Sequence, residues 1–264
     1  MSSFDIYFYL LIEISIATRE VSVLENEWVE QATKLVEVFK LANKPVAVTF
    51  SNEDVEVVNP RKVQFCRAMK LAADGESFVL DKETSACPGG TWHCGLSEPP
   101  SAGARRMIQN FLTRGEKLTH SIVSFQRMQG LSSPPPTGLS DRILIGPMDT
   151  SPMRPDLVLF VCNAGQACRL LALDHYWDGI PPRVEVAGAL CHSAIAYPVM
   201  TGHTNATFGD WTARRAQKYP DDAVFVTVPY ERLSNLIAAI PLCSAGTAEV
   251  EIPEAMRRVI DEEG

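Results

Sequence analysis

The residues best suited to chemistry lie in one unusual run of the sequence. The run Ser85–Gly95 contains Cys87 and Cys94 together with a Pro-Gly-Gly segment, Trp92 and His93. Because proline fixes φ and glycine lacks a Cβ, we predict a sharp turn here, with backbone N–H groups free beside sulfur. Such N–H groups stabilise a thiolate, a metal-bound thiolate or a developing anion. The run is therefore the first candidate for a functional site.

The chain has seven cysteines, and two outside this run also suggest chemistry. Cys66 falls on a predicted helix. Cys191 falls at a predicted loop-to-helix junction, and a helix N-terminus favours the thiolate form. The other three are interpreted as small packing residues; they are Cys162, Cys168 and Cys243. The spacing matches neither a zinc ribbon nor a bacterial ferredoxin, so spacing alone does not identify a metal.

Composition limits the class of protein. The 264 residues are 46% hydrophobic and 21% charged, which is typical of a globular protein. A net charge of −8 does not favour a nucleic-acid partner. An odd number of scattered cysteines favours reduced thiols and a cytoplasmic location. The apolar stretch Phe4–Ala17 contains Asp5 and Glu13 and is shorter than the roughly 20 residues that span a bilayer, so we expect no membrane association.

Hydrophobic periodicity predicts an α/β (or α+β) fold with one mixed sheet and helices packed on it. We expect a single compact domain over residues 25–244, an extension over 1–24 and an acidic tail over 245–264. The segment Leu118–Met128 stays ambiguous between helix and extended chain, and Leu131–Leu139 is a predicted loop. The predicted helices are Glu25–Leu41, Lys62–Ala73, Ser101–Arg114, Gln166–Leu173 and Glu231–Ala239. The predicted strands are Val46–Phe50, Phe78–Leu80, Arg142–Ile145, Asp156–Val161, Val184–Ala187 and Phe225–Val228.

Two strand-turn-helix segments align with each other without gaps. They begin at Asp156 and Asp222, an offset of 66 residues. The alignment indicates either a pseudo-duplication or the ordinary pattern of α/β proteins, and both interpretations stay open.

Six segments in this order resemble the archaeal and bacterial family known as domain of unknown function 169. The resemblance extends from about Val29 to Ile240. The segments are KPVAVTF from Lys44, FCRAMKLAADGESFVL from Phe65, SACPGG from Ser85, the strand-turn-helix containing Gln166, LCHSAIAYPVMTG from Leu190, and VPYERL from Val228.

The resemblance implies which thiols belong together. In that family the cysteines matching Cys66, Cys87 and Cys191 belong to the recurring motifs. Cys94 lies where the family implies no cysteine, so we interpret it as an accessory thiol. The family also carries a Gly-Asp pair followed closely by an arginine. Here Asp210 is followed, at a looser spacing, by Arg214. No settled activity comes with the family.

Our leading hypothesis is a cysteine-ligated iron–sulfur or other metal protein that acts on a small molecule. Cys66, Cys87 and Cys191 would hold the centre, for example a 4Fe-4S cluster with one iron open, or a metal ion with an exchangeable fourth site. Cys94 or His192 would be the accessory ligand. The candidate substrate-binding residues are Trp92, Asp210 and Arg214, with His192 as a further supporting group.

Two metal-free alternatives stay open, and with them the question of whether the protein is an enzyme. In one, Cys87 is a nucleophile activated by the turn amides and His93. In the other, the chain is a small-molecule-binding module with an aromatic pocket and a cationic anchor. Its lining would be Trp92, Tyr176, Trp177, Trp211 and Arg214. Under each hypothesis we expect a homo-oligomer.

Overall fold

Runs of apolar residues form the strands of one mixed sheet. The computed structural model describes residues 27–55, 61–130, 135–184 and 189–247. Within these residues the sheet has seven strands in the order β2-β3-β1-β4-β7-β6-β5. Neighbouring strands are antiparallel except β5 and β6, which are parallel. The strands are β1 (Val46–Ser51), β2 (Phe78–Leu80), β3 (Arg142–Pro147), β4 (Leu157–Cys162), β5 (Arg183–Val184), β6 (Asn205–Thr207) and β7 (Val224–Pro229).

Helices cover both faces of this sheet. They are α1 (27–39), α2 (Phe65–Ala73), α3 (Pro88–His93), α4 (Ala102–Asn110), α5 (Ile122–Gly130), α6 (Ala164–Asp174), α7 (Tyr197–Thr201), α8 (Trp211–Gln217) and α9 (Tyr230–Ala239). Two π-helical turns, Phe111–Gly115 and His192–Ala196, continue α4 and precede α7. The predicted α/β class with one mixed sheet is confirmed.

Two hydrophobic clusters, one on each face, form the core. Side chains alternate along a strand, so Val46 and Val48 pack against α2, whereas Ala47 faces the opposite cluster with α1, α6 and α9. Burial on both faces explains why β4 and β7 are apolar throughout rather than alternating. The cysteines of interest lie on the α2 side.

The run around Cys87 differs from the predicted sharp turn. Pro88 begins the short helix α3, because its fixed φ suits a first helical position. The Cys87 side chain caps that helix by accepting a hydrogen bond from the Gly90 N–H. The Pro-Gly-Gly segment is therefore helical, and the bend lies at the extended backbone of Cys87.

Several predicted boundaries of helices and strands differ from the observed ones. The ambiguous segment Leu118–Met128 contains α5, which begins at Ile122. The predicted helix from Lys62 begins only at Phe65. Strand β6 was not predicted, because Asn205–Thr207 carries little apolar signal. Of the predicted strand Val184–Ala187, residues 185–188 lie outside the described part of the chain.

Both aligned strand-turn-helix segments form as predicted, as β4–α6 and β7–α9. Their strands are antiparallel neighbours, and Phe160 pairs with Val226, the position equated with it by the alignment. The two helices pack on each other. A common origin for the two units is not confirmed and stays a prediction.

The extension over 1–24 and most of the tail over 245–264 lie outside the described residues. The domain boundaries proposed from the sequence therefore stay predictions. A search of the described helices for one with the length and apolar character to span a membrane found none.

Truncation at the centre of β4 tests this core. We expect Phe160→Ala to lower the free energy of unfolding by about 3–5 kcal/mol, because it removes a ring that is 1% exposed. Phe208, which is 55% exposed, is the matched control, and Phe208→Ala should cost under about 0.5 kcal/mol. Urea unfolding measures both, and similar losses in the two variants would contradict this description of the core.

Candidate cysteine site

Three cysteines lie at the starts of three different helices. Cys66 is the second residue of α2, and Cys87 caps α3. Cys191 is the second residue of the helical stretch that begins at residue 190 and continues into α7. The first turn of a helix has backbone N–H groups without intrahelical partners. Each of these thiols is therefore placed beside available donors.

Backbone N–H groups lie beside the sulfurs, most directly at Cys87. The Gly90 N–H donates to Cys87 Sγ at 3.3 Å between nitrogen and sulfur. The Arg67 N–H next to Cys66 and the His192 N–H next to Cys191 each donate to a backbone carbonyl oxygen at 3.0 Å, those of Gln64 and Ala189. The free N–H group expected beside Cys87 is therefore present, whereas the N–H groups next to the other two cysteines are shared with backbone carbonyl groups.

The pKa of each of the three thiols is nevertheless raised. Burial, followed by the charges of Cys191 and Cys87, raises the pKa of Cys66 to about 12. Burial and the charge of Cys191 raise the pKa of Cys87. These mutual effects require the three sulfurs to lie near one another. Without a positive partner, the site favours neutral thiols.

Cys94 extends the group of thiols into the interior. It is buried at the C-terminal end of α3. A hydrogen bond with the Cys94 thiol is the largest cause of the raised pKa of Cys191, followed by burial. The structure thus brings the accessory thiol into contact with one of the three.

Two buried histidines, His93 and His192, directly adjoin Cys94 and Cys191 in the sequence. The His93 and His192 rings meet edge to face, with centroids 5.4 Å apart, and Trp92 lies against His93 at 4.9 Å. His93 is 8% exposed, and its Nδ1 has no hydrogen-bond partner. Burial, with a smaller effect from His192, lowers the pKa of His93 to about 4.

Asp210 connects the site to α8. One carboxylate oxygen caps α8 by accepting the Ala213 N–H at 2.7 Å. The other accepts the Leu190 N–H at 2.8 Å and so fixes the residue before Cys191. The negative charge of Asp210 also contributes to the raised pKa of the three thiols. Asp210 thus positions Cys191.

The guanidinium of Arg214 is occupied by the backbone. It donates to four carbonyl oxygens, those of Phe208, Pro220, Asp221 and Ala223. These bonds tie the loops on either side of α8 to the start of β7. A substrate-binding role for Arg214 stays a prediction, and a ligand would have to compete with those carbonyl groups.

Three residues near Cys66 were not predicted from the sequence to belong to the site. The Gln64 side-chain oxygen accepts from the Cys66 thiol at 3.9 Å and from the Gln217 amide at 3.0 Å. The Tyr219 hydroxyl donates to the Cys66 carbonyl oxygen at 2.7 Å. The one available signal was that Gln64 lies two residues before Cys66, within the predicted helix Lys62–Ala73. Gln217 and Tyr219 reach Cys66 only through the packing of α8 on α2.

The thiols lie near one another but are not gathered around a single point. Across the described ranges, no group of three or more His, Cys, Asp or Glu side chains is arranged to hold a metal ion. The geometry therefore shows a group of neutral thiols in which Cys94 and Cys191 are buried, Cys66 and Cys87 are half-buried, and the Cys87 sulfur receives a backbone N–H.

Removing the charge of Asp210 tests its electrostatic effect. We expect Asp210→Asn to lower the pKa of Cys66, because the neighbouring negative charge is gone while the amide oxygen can still cap α8. The amide nitrogen cannot accept the Leu190 N–H, so that bond is lost in the variant. The pH dependence of Cys66 alkylation, followed by mass spectrometry, measures this. The exposed Asp221→Asn is the control. An unchanged Cys66 profile in Asp210→Asn would contradict the assignment.

The lowered pKa of His93 predicts a loss of stability in acid. In the unfolded chain the His93 imidazole binds a proton as the pH falls below its ordinary pKa of 6.5. In the folded chain it binds that proton only near its lowered pKa of about 4. Stability is therefore full above pH 6.5 and falls as the pH drops toward 4, by about 3 kcal/mol. Urea unfolding across this range should show a flatter profile for His93→Gln. The exposed His203→Gln should keep the wild-type slope, and equal slopes in all three proteins would refute the assignment.

Comparison with known proteins supports a family but no activity. The model of the family described as DUF169, uncharacterised ArCR, matches residues 34–239. This match covers α2, α3, α8 and all seven strands. No curated protein and no solved structure matches the chain. Since the match includes most of the chain and all three cysteine segments, the protein belongs to the DUF169 family.

Proposed function

We propose that this protein holds a cysteine-ligated metal centre and acts on a small molecule there. The ligands are Cys66, Cys87 and Cys191, and a 4Fe-4S cluster is our first choice of centre. One observation carries the proposal: three thiols from separate helix starts influence one another's charge and so lie together, and the Cys87 sulfur receives the Gly90 N–H.

The donor set fits such a centre chemically. Thiolates are the ligands of iron–sulfur clusters and of many zinc sites. Hydrogen bonds to cluster sulfurs are one means by which proteins set reduction potential. When bound with one position open, the centre would supply a Lewis acid for a substrate oxygen or sulfur.

The electrostatics of the site also favour a cationic occupant. The raised pKa of Cys66 and of Cys87 comes first from burial, and that of Cys191 first from its hydrogen bond with the Cys94 thiol; repulsion between neighbouring thiolates adds to each rise. A metal cation offsets this repulsion and displaces the thiol protons, so binding should release protons and weaken in acid. At Cys87 the Gly90 N–H is already in place for the charged form.

The size of the centre distinguishes a cluster from a single ion. A single ion needs its ligands around one point, whereas a polynuclear cluster spreads its sulfurs further apart. We therefore place the cluster ahead of the ion. Cys94, which contacts Cys191, and the buried His192 are the candidates for a further ligand. The Asp210 carboxylate accepts the Leu190 N–H at the start of the helix that carries Cys191. The half-buried Trp92 packs against the ring of His93.

A metal-free Cys87 nucleophile is the weaker alternative. An activated thiol has a lowered pKa, whereas the pKa of Cys87 is raised by burial and by Cys191. A metal-free binding function has one observation in its favour. A cavity of about 280 Å³ lies at the β2 edge of the sheet, away from the cysteines, lined by residues that include Ala47, Val55, Phe78, Val79 and Leu144.

Anaerobic purification tests the proposed centre. We expect bound iron and sulfide, with a visible absorption that bleaches on reduction with dithionite. Each of Cys66→Ser, Cys87→Ser and Cys191→Ser should lose most of the iron, because each removes one thiolate ligand. Cys168→Ser, at an exposed thiol, is the matched control and should keep the wild-type content.

Two outcomes would contradict the proposal. One is a folded wild-type protein that is colourless and free of iron and zinc after anaerobic purification. The other is equal metal content in the three site variants and in Cys168→Ser. A thermal-shift response to small apolar ligands in such a metal-free protein would support the binding alternative instead.

A further inference from the structure

A helical arm lies between α3 and β3 in the chain. We define the arm as residues 101–130, which contain α4, the π-helical turn and α5. These three elements pack mainly on one another, and Phe125 of α5 is buried. No residue of α4 is buried. The outer side of α4 is therefore open to a partner, unlike the helices that cover the sheet.

The arm is basic, although the chain as a whole is acidic. Of the 24 lysines and arginines in the chain, five lie in the arm, whereas only one of the 32 aspartates and glutamates does, Glu116. The arm thus carries a net charge of +4 within a chain whose net charge is −8. Opposite charges on two protein surfaces attract and orient them during association. The surface that complements the arm in charge is the remainder of this same chain.

The cations of the arm are not engaged by the rest of the chain. All five are exposed, and over the described ranges none of their side chains makes a hydrogen bond or an ion pair. The single acidic residue, Glu116, is already paired with Arg215 of α8. The positive charge of the arm is therefore available to a partner. The five cations are Arg105, Arg106, Arg114, Lys117 and Arg127.

Exposed apolar side chains lie among these cations. Met107, Phe111 and Arg114 follow one another at intervals of four and three residues, which places them along one side of the helical stretch. Met107 is 67% exposed and Phe111 is 48% exposed. Protein–protein interfaces are enriched in methionine, aromatic residues and arginine and depleted in lysine and acidic residues. The outer side of α4 therefore has the composition of a surface that binds another protein.

We infer that the arm binds a second copy of this chain. Met107 and Phe111 form the apolar centre of the interface, and the arginines around them contact carboxylates on the acidic part of the other copy. Such a contact closes as a symmetric pair when each arm lies on the other copy. The inference goes beyond the proposed metal centre and does not depend on it. It gives the homo-oligomer expected from the sequence a defined surface and a defined chemistry.

Sedimentation of the full-length reduced protein tests the association. We expect a dimer whose dissociation constant rises with added salt, because salt screens the attraction between exposed charges. The double variant Arg106→Glu with Arg114→Glu should raise the dissociation constant by about tenfold or more, since it replaces attraction by repulsion at the interface. Met107→Ser should weaken the dimer as well, because it removes apolar contact area.

Matched variants separate the interface from a general effect of charge or polarity. Lys34→Glu with Lys62→Glu makes the same change in net charge at two exposed lysines outside the arm, and it should sediment as wild type. Leu242→Ser, at a side chain that is 59% exposed, is the control for Met107→Ser. Thermal unfolding verifies that each variant is folded. If the charge-reversed variant is not, Arg106→Gln should give a smaller shift in the same direction.

Cross-linking between copies identifies the partner surface. Arg106→Lys and Arg114→Lys keep the positive charge and supply amines that a carbodiimide couples to nearby carboxylates. Unlabelled and isotope-labelled copies are mixed first, so that peptides of mixed label report contacts between copies alone. We expect links from both lysines to aspartates or glutamates outside residues 101–130 of the other copy.

Three outcomes would overturn the inference. One is a wild-type protein that stays monomeric at every concentration, and another is a dimer with the same dissociation constant in wild type and in the arm variants. The third is cross-links from the arm lysines confined to one copy. Monomeric wild type that sediments with vesicles of phosphatidylcholine and phosphatidylserine, but not with phosphatidylcholine alone, would identify an anionic membrane surface as the occupant instead of a second copy.

Discussion

The cysteine site depends on one carboxylate that holds two helix starts together. Asp210 caps α8 with one oxygen and accepts the N–H of Leu190 with the other. These bonds join α8 to the helical stretch that carries Cys191. Because α8 also packs against α2, the same helix sets the distance between Cys191 and Cys66. A negative charge beside three thiols is electrostatically unfavourable, so the position of Asp210 is understandable only through its structural bonds.

The sheet provides the rigid support that this arrangement needs. Strands β1, β4 and β7 are buried on both faces and fix the relative positions of the helices packed on them. Cys66, Cys87 and Cys191 all lie on the α2 side, at helix starts rather than on strands. Helix starts place backbone N–H groups beside sulfur, and the surrounding side chains bury Cys191 fully and Cys66 and Cys87 in part. The resulting environment disfavours isolated thiolates but suits thiolates that are bound to a cation.

Some features of the site followed from local sequence, and others could not. The N–H groups beside Cys87 were predictable, because proline and two glycines leave the backbone open there. The conformation was not, since Pro88 starts a helix instead of a turn once Cys87 caps it. Tyr219 bonds to Cys66, and Gln217 to the neighbouring Gln64, from more than 150 residues away in the chain, and no local pattern indicates those contacts. Arg214 looked like an anion-binding residue by type, yet its guanidinium is bonded to four backbone carbonyl groups.

The sequence by itself determined the fold class, most of the strands and helices, the family and the three candidate thiols. Those features depend on hydrophobic periodicity and on short motifs, which act over a few neighbouring residues. Only the tertiary structure determined that the three thiols lie together, that Cys94 contacts Cys191, and that Glu116 bonds to Arg215 of α8. These relations depend on how the helices pack across one face of the sheet, and that packing joins segments far apart in the chain. Proximity of this kind arises from the summed burial of many side chains, so no single motif encodes it.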